Sequence, residues 1–95
     1  PDCWFKTVIS STSAAKVETN TYRFPHSLPN HAELYNSIDN SATLMLITPE
    51  LSDLTSQNNQ IRFWAKGYDN SGYSLIIGTM TDPADTATFT TYQTI

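Results

Sequence analysis

The chain is short of cations and of long apolar runs, and each shortage argues against a class of protein. Five Lys or Arg residues stand against nine Asp or Glu among 95 residues, a formal net charge of −4. Nucleic-acid-binding proteins normally carry a basic stripe that neutralises phosphates, so we expect no nucleic-acid partner. The longest apolar run, residues 42–47, is far shorter than the roughly 20 residues of a transmembrane helix. We therefore expect no membrane insertion.

Cysteine is almost absent. The single Cys3 cannot form an intrachain disulfide. Without a base placed beside it by the sequence, we expect Cys3 to be a small buried hydrophobe and not a catalytic thiol.

Helical periodicity is also nearly absent, and what remains favours β-structure. Thr and Ser together supply twenty-four residues, a composition that suits pleated, half-buried surfaces. Only residues 49–54 suggest a helical turn, with Leu51 and Leu54 facing inward. Short β-branched or aromatic runs separated by polar turns predict an all-β fold. The predicted strands are residues 3–9, 16–22, 32–37, 42–48, 60–66, 73–81 and 88–95.

Two of these strand predictions are specific. Residues 42–48 are apolar on both faces, which predicts a central, fully buried strand. Residues 60–66 alternate, with Ile61 and Phe63 on one face and Trp64 on the other. We expect them to form a hairpin with residues 73–81 across the Gly-flanked turn at 67–72.

The ordered set of motifs resembles a known family. The segments LITPEL at 46–51, IRFWAKG at 61–67 and YSLIIGTMTDP at 73–83 are similar to the MAM-like jelly-roll modules of Bacteroidetes. These modules are also called choice-of-anchor J or cleaved-adhesin domains. Further similarity lies at residues 1–4, 88–89 and 93–95, so the resemblance covers essentially the whole chain.

The resemblance implies a jelly-roll β-sandwich of antiparallel strands in a secreted or cell-surface adhesin, protease or polysaccharide-degrading enzyme. Modules of this family often hold structural calcium and are thought to bind carbohydrate or protein. A complete module is longer, so we expect residues 1–95 to be a single β-sandwich module truncated at both ends. A companion chain or a second copy would then complete the sandwich, because open sheet edges must be covered or paired.

Trp64 is the best ligand candidate in the sequence. It is flanked by Arg62 and Lys66, and a flat aromatic face with hydrogen-bond donors at its rim is what sugar stacking requires. The alternative is that the Trp64 face is the inner one and that Trp64 belongs to the core. Tyr35, Tyr68 and Tyr73 are secondary ligand candidates.

Calcium prefers several oxygen ligands. The polar loops offer three groups of them, which are Ser27, Asn30, Asp39 and Asn40, then Asp69 and Asn70, and then Asp82 and Asp85. Ser27, Asn30 and Asp39 are the predicted metal ligands. None of the loops has the spacing of a recognisable calcium-binding motif. In the family, part of a calcium site is expected from outside this segment.

No catalytic constellation is apparent, because the glutamates are scattered and no nucleophile elbow or phosphate loop occurs. We therefore expect a non-catalytic binding module that recognises polysaccharide or a cell-surface glycoprotein. The alternative is a structural spacer or accessory domain of a secreted peptidase or glycosidase, with no ligand of its own.

Overall fold

The computed structural model describes residues 3–22, 25–67 and 74–95, and over these residues the chain is all-β. The described part contains six strands, two short 3-10 helices and no α-helix. The strands are β1 (Phe5–Ile9), β2 (Lys16–Asn20), β3 (His31–Tyr35), β4 (Thr43–Ile47), β5 (Ile76–Thr79) and β6 (Thr90–Thr94), and the 3-10 helices are Ser52–Thr55 and Thr86–Thr88. The predicted all-β class is confirmed.

The six strands form three two-stranded antiparallel sheets, β1–β4, β2–β3 and β5–β6. Each strand thus has one pairing partner among the described residues, and its other edge is open. This arrangement fits an incomplete sandwich, whereas the jelly-roll topology itself stays a prediction. Tertiary contacts divide the chain into two compact units, unit 1 (Pro1–Gln60) and unit 2 (Ile61–Ile95).

Unit 1 is built around the inner face of the β2–β3 sheet. Val17 in β2 is only 3% exposed, and Ala15 just before it is also buried. The Lys6 ammonium of β1 donates to the Val17 carbonyl oxygen at 3.2 Å, and β2 contacts both β1 and β4. Alternation along β2 therefore turns Val17 inward and its neighbours Lys16 and Glu18 outward.

Unit 2 contains the β5–β6 sheet, whose register is irregular. Ile77 pairs with Gln93 and the next residue, Gly78, pairs with Thr91, so Tyr92 is the extra residue of a β-bulge. A Cβ at position 78 would lie 2.2 Å from the Thr90 carbonyl oxygen. Glycine is required there because the two backbones approach too closely for any side chain.

The structure corrects the most specific strand predictions. Residues 60–66 form no regular strand, and β5 pairs with β6, so the predicted hairpin between residues 60–66 and 73–81 is wrong. Residues 60–66 alternate in sequence, but alternation alone does not supply a pairing partner. Most of the proposed turn at 67–72 lies outside the described residues.

Several residues are less buried in the structure than the sequence predicts. Residues 42–48 do contain β4, but none of its side chains is fully buried, because β4 belongs to a sheet of only two described strands. The helical turn predicted at residues 49–54 is close to the 3-10 helix Ser52–Thr55. Leu51 precedes this helix and Leu54 lies in it, yet both side chains are exposed. Cys3 is exposed as well, which contradicts its predicted burial.

Among the residues described, no helix has the length and apolar character needed to cross a membrane.

Candidate functional site

An open cleft lies on the outer face of the β2–β3 sheet. It has a volume of about 290 Å³ and is lined by Lys16, Asn20, Tyr22, Glu33 and Tyr35, which we call the β2–β3 cleft. The lining follows from strand geometry, since alternate residues of a strand share a face. The register places Lys16 opposite Tyr35, so two adjacent strands present their side chains to the same space.

Local hydrogen bonds fix the polar wall of the cleft. The Asn20 amide Nδ2 donates to Glu33 Oε2 at 2.6 Å across the two strands. The Asn20 Oδ1 in turn accepts from the Tyr22 backbone N–H at 2.8 Å. Asparagine side chains commonly accept a hydrogen bond from the backbone two residues further on. Here that bond holds Tyr22 just beyond the end of β2, where it lines the cleft.

The charged wall of the cleft is organised by Lys16. Its ammonium lies 2.5 Å from Glu18 Oε1 on the same strand face and 5.6 Å from the centre of the Tyr35 ring. This second distance is within the range of a cation–π interaction. The hydrogen bond to Glu18 raises the pKa of Lys16 above its usual value, and partial desolvation opposes that rise.

Two carboxylates face one another across the sheet. Glu18 and Glu33 are direct cross-strand partners, an arrangement that is destabilising for like charges unless each has a compensating neighbour. Lys16 supplies that neighbour for Glu18, and Asn20 supplies a neutral donor for Glu33. The described residues thus bring aromatic faces, amide and carboxylate hydrogen-bonding groups and the Lys16 ammonium together in a solvent-open cleft.

Such a combination is suited to binding a polyhydroxylated ligand. Tyrosine rings offer flat apolar faces with a polar tip. Carboxylate oxygens accept hydrogen bonds from hydroxyl groups, and the amide and ammonium groups donate them. Binding sites of this kind need only a few such groups to fix the orientation of a ligand.

The sequence-predicted ligand group lies in unit 2. Trp64 is 73% exposed, and Arg62 and Lys66 are exposed as well. In this structure Trp64 is therefore a surface residue, as the platform interpretation requires. However, Ile61 and Phe63 of the opposite parity are also exposed, so exposure does not distinguish the two faces of this segment.

The secondary aromatic candidates are divided between the described and undescribed residues. Tyr68 and Tyr73 lie outside the described residues. Tyr35 lines the β2–β3 cleft.

Asp39, predicted as a metal ligand, is buried in a network of hydrogen bonds. Its Oδ2 accepts from Ser10 Oγ and the Ser11 backbone N–H, each at 2.7 Å, and from Ser11 Oγ at 3.0 Å. Its Oδ1 accepts from the Ser41 backbone N–H at 3.0 Å and from Ser41 Oγ at 2.7 Å. These donors hold the pKa of Asp39 far below its usual value, with the Ser10 hydroxyl making the largest contribution.

This network ties the loop after β1 to the turn between β3 and β4. The Asp39 backbone N–H donates to Asn36 Oδ1 at 3.1 Å, which closes the turn from its other side. Asp39 thus joins two segments nearly thirty residues apart in sequence. Its position and its donors indicate a structural role.

The three predicted calcium ligands are not brought together. Asp39 lies beside Asn36, just after β3, whereas Asn30 and Ser27 precede β3. Five strand residues at about 3.3 Å each separate the two ends by about 17 Å, and calcium–oxygen distances are only about 2.3–2.6 Å. As one set, these residues do not fit a calcium ion. Nor do the described residues contain a group of three or more His, Cys, Asp or Glu side chains that could hold a metal.

Sequence reasoning missed most of the cleft. The signal was present, since Lys16, Glu18 and Asn20 alternate with Val17 in a strand that the sequence had predicted. The sequence does not predict which strand pairs with β2 or in which register. The partner strand and its register alone bring Glu33 and Tyr35 beside Lys16 and Asn20.

No protein family, curated protein or solved structure matches the chain in comparisons of sequence and fold.

Proposed function

We propose that this chain is a non-catalytic binding module and that it recognises a carbohydrate in the β2–β3 cleft. The observation that carries the proposal is the placement of Tyr22 and Tyr35 in one open cleft with Asn20, Glu33 and Lys16. Aromatic faces bordered by hydrogen-bonding side chains are what a sugar ring requires, because its two faces are apolar and its rim carries hydroxyl groups.

The size of the cleft supports this ligand class. A volume of about 290 Å³ lies just below the range for sites that hold drug-sized molecules, roughly 300–1,000 Å³. That volume suits one or two sugar residues of a longer chain. The open shape also suits an oligomeric ligand, because the rest of the polymer can extend into solvent.

Asp39 is not suited to act as a general acid in hydrolysis. The carboxylate with the strongly lowered pKa, Asp39, already accepts five hydrogen bonds from serine groups. A general acid needs the opposite shift, towards the operating pH.

A second surface belongs to the same proposal. Trp64, Arg62 and Lys66 are all exposed in unit 2, and Trp64 offers the largest aromatic face in the described part of that unit. We keep it as a separate candidate platform for carbohydrate or for a cell-surface glycoprotein.

The open strand edges support a further partner. Each described strand leaves one edge unpaired, and such edges readily accept another strand. A companion chain or a second copy that completes a jelly-roll sandwich would cover them. Under the same proposal, the chain is a MAM-like module of a protein that is secreted or held at the cell surface. Any structural calcium ion would be bound by residues other than the set Ser27, Asn30 and Asp39.

The experiment is a glycan array on the purified chain, followed by titration of each positive oligosaccharide with NMR detection. We expect Tyr22→Ala and Tyr35→Ala each to weaken binding by at least tenfold, because each removes an aromatic face from the cleft. Tyr92→Ala is the matched control, since Tyr92 is 83% exposed and lies outside the cleft. Its affinity should equal that of the unsubstituted chain.

The variants separate the two surfaces. Loss of binding in Trp64→Ala with full binding in Tyr35→Ala would move the site to unit 2 and refute the cleft. If no glycan bound at all, the spacer function would replace the binding function. Size-exclusion chromatography with light scattering measures whether a second copy pairs with the open strand edges. A strictly monomeric chain at high concentration would rule out a second copy.

A further inference from the structure

A continuous exposed stretch, residues 51–67, lies between β4 and β5. It contains large apolar side chains, among them Ile61 at 56% and Phe63 at 49% exposure. A group of exposed apolar side chains on a folded chain is typical of a surface that another molecule covers. This stretch is therefore a candidate interaction surface.

Residues 60–66, which we call the unpaired segment, have the sequence of a strand without its ladder. Ile61, Phe63 and Ala65 alternate with Arg62 and with other polar or aromatic residues, so an extended backbone gives the segment one apolar face. In the structure these residues form no strand. What they lack is a neighbouring strand, because ladder hydrogen bonds come from another part of a sheet.

β4 shows the complementary mismatch. Its residues Thr43–Ile47 are largely apolar on both faces, a pattern that is typical of a strand in the interior of a sheet. Among the described residues, however, β4 pairs with β1 alone. Proteins protect sheet edges with charged side chains, proline, bulges or very short strands. β4 has five residues, no charge and no proline, and its pairing with β1 shows no bulge.

The other described strands each carry at least one of these protections. Lys6 lies in β1, Lys16 in β2 and Glu33 in β3. β5 has only four residues and contains Gly78, and β6 has its bulge at Tyr92. β4 is therefore the strand best suited to accept another strand at its edge.

The charges of the unpaired segment point to a second copy as the partner. The segment carries Arg62 and Lys66 and no carboxylate, whereas the rest of the chain has nine Asp or Glu against three Lys or Arg. Two exposed carboxylates, Glu50 and Asp53, follow β4 closely in the chain. The basic segment of one copy and the acidic remainder of another are thus complementary, and such complementarity favours association and sets its orientation.

We propose that the unpaired segment of one copy adds as a strand to the edge of β4 in a second copy, and that this exchange is mutual. A mutual exchange uses the same two surfaces on both copies, so it closes a two-fold dimer and does not lead to open polymers. Strand addition supplies the missing ladder hydrogen bonds. The inference rests on the part of the proposed function that assigns a second copy to the open strand edges, and it is independent of the β2–β3 cleft.

Sedimentation equilibrium and amide hydrogen exchange over a range of chain concentrations test the proposal. We expect a dimer, and slow exchange in residues 60–66 should appear only as the dimer forms. In a mixture of isotope-labelled and unlabelled chains, isotope-filtered NOEs should join residues 60–66 of one copy to Thr43–Ile47 of the other. Slow exchange of residues 60–66 in the monomer would place the pairing within one chain and refute the exchange. A dimer without these NOEs would refute it as well.

Two proline variants test the ladder itself. Neighbouring N–H groups of a strand point to opposite edges, so either Trp64→Pro or Ala65→Pro removes a ladder donor and should weaken dimerisation by about tenfold or more. Gln57→Pro is the matched control. Gln57 is exposed and lies in the turn closed by the Asn59 backbone N–H and the Ser56 carbonyl oxygen. Proline suits this position, because Ser56 before it is already extended.

The control should dimerise like the unsubstituted chain. Full dimerisation in both Trp64→Pro and Ala65→Pro, or equal weakening in Gln57→Pro, would refute the strand exchange. Added salt should weaken the dimer, since it screens exposed charges, and a dimer that strengthens with salt would refute the charge complementarity.

Glycan titration of Ala65→Pro separates this inference from carbohydrate binding. The β2–β3 cleft does not contain Ala65, so this variant should bind the same glycans as the unsubstituted chain. A strand-exchanged dimer that binds no glycan would refute carbohydrate recognition and keep the exchange. A chain that binds glycans and stays monomeric at every concentration would refute the exchange and keep carbohydrate recognition.

Discussion

Gly78 offers a direct test of the β5–β6 register, because any side chain at this position collides with the neighbouring strand. An added Cβ would lie 2.2 Å from the Thr90 carbonyl oxygen and 2.5 and 2.7 Å from two carbons of the Phe89 ring. Real Cβ atoms essentially never come closer than 3.0 Å to such atoms. Gly78→Ala therefore forces β5 and β6 apart.

The magnitude follows from two opposing effects. Replacing glycine by alanine inside a strand, without a clash, would stabilise the chain by about 0.5–1 kcal/mol. Overpacking costs about 1–3 kcal/mol, and we expect about 3 kcal/mol because no rotamer change can move a backbone carbonyl. The net cost is then about 2 kcal/mol, which lowers the melting temperature by about 8–16 °C in a domain of this size.

The assay is thermal unfolding followed by circular dichroism, together with amide hydrogen exchange in β5 and β6. The matched background is Phe89→Ala, which removes the ring and leaves the Thr90 carbonyl oxygen in place. In that background the cost of Gly78→Ala should fall but remain unfavourable. An unchanged or higher melting temperature for Gly78→Ala would refute the close approach of the two strands and the bulge that depends on it.

Three further predictions concern unit 1 and the Trp64 surface. Asp39→Asn should lower the melting temperature at pH 7, whereas Asp53→Asn, at an exposed carboxylate, should not; equal effects would contradict the Asp39 network. The pKa of Asp39 is lowered in the folded chain, so ionised Asp39 stabilises the folded state above the unfolded pKa of about 3.9. This stabilisation is lost as the pH falls below that value. The free energy of unfolding should therefore fall more steeply with acid in the unsubstituted chain than in Asp39→Asn. Val17→Ala should lower the free energy of unfolding by about 2 kcal/mol, since it removes buried methyl groups and leaves a cavity. Val8 has a 40% exposed side chain, so Val8→Ala should lower it by less than half as much. Chemical denaturation measures both values. Trp64→Ala should change the free energy of unfolding by no more than about 0.5 kcal/mol, and a large loss would return Trp64 to the core.

Much of the fold could be predicted from local signals. All six described strands fall within or next to predicted segments, because β-branched runs bounded by polar turns carry their own information. Residues 38–41 contain the Asp, Asn and Ser that are typical of turns, and Asp39 does accept a hydrogen bond from the Ser41 backbone N–H. These features depend on contacts within a few residues.

The failures all concern partners distant in sequence. Residues 60–66 alternate as a strand should, yet they have no strand partner among the residues that the structure describes. Nothing local distinguishes an alternating segment that is paired from one that is not, because the ladder hydrogen bonds come from another part of the chain. The assumed burial of β4 failed for the same reason, since burial depends on what covers a strand.

The candidate site shows the same division. Its residue types on β2 were visible in the sequence, but their meaning depended on the register that sets Lys16 opposite Tyr35 and Glu18 opposite Glu33. A shift of one residue would have turned one strand's side chains to the other face and dissolved the cleft.

The sequence by itself determined that this is an acidic, hydroxyl-rich, all-β chain, because composition and alternation are local properties. Only the tertiary structure decided which strands pair and that Asp39 serves the fold. It also assembled a cleft from two aromatic rings, an amide and opposed charges, because side chains from separate strands meet only once their register is set.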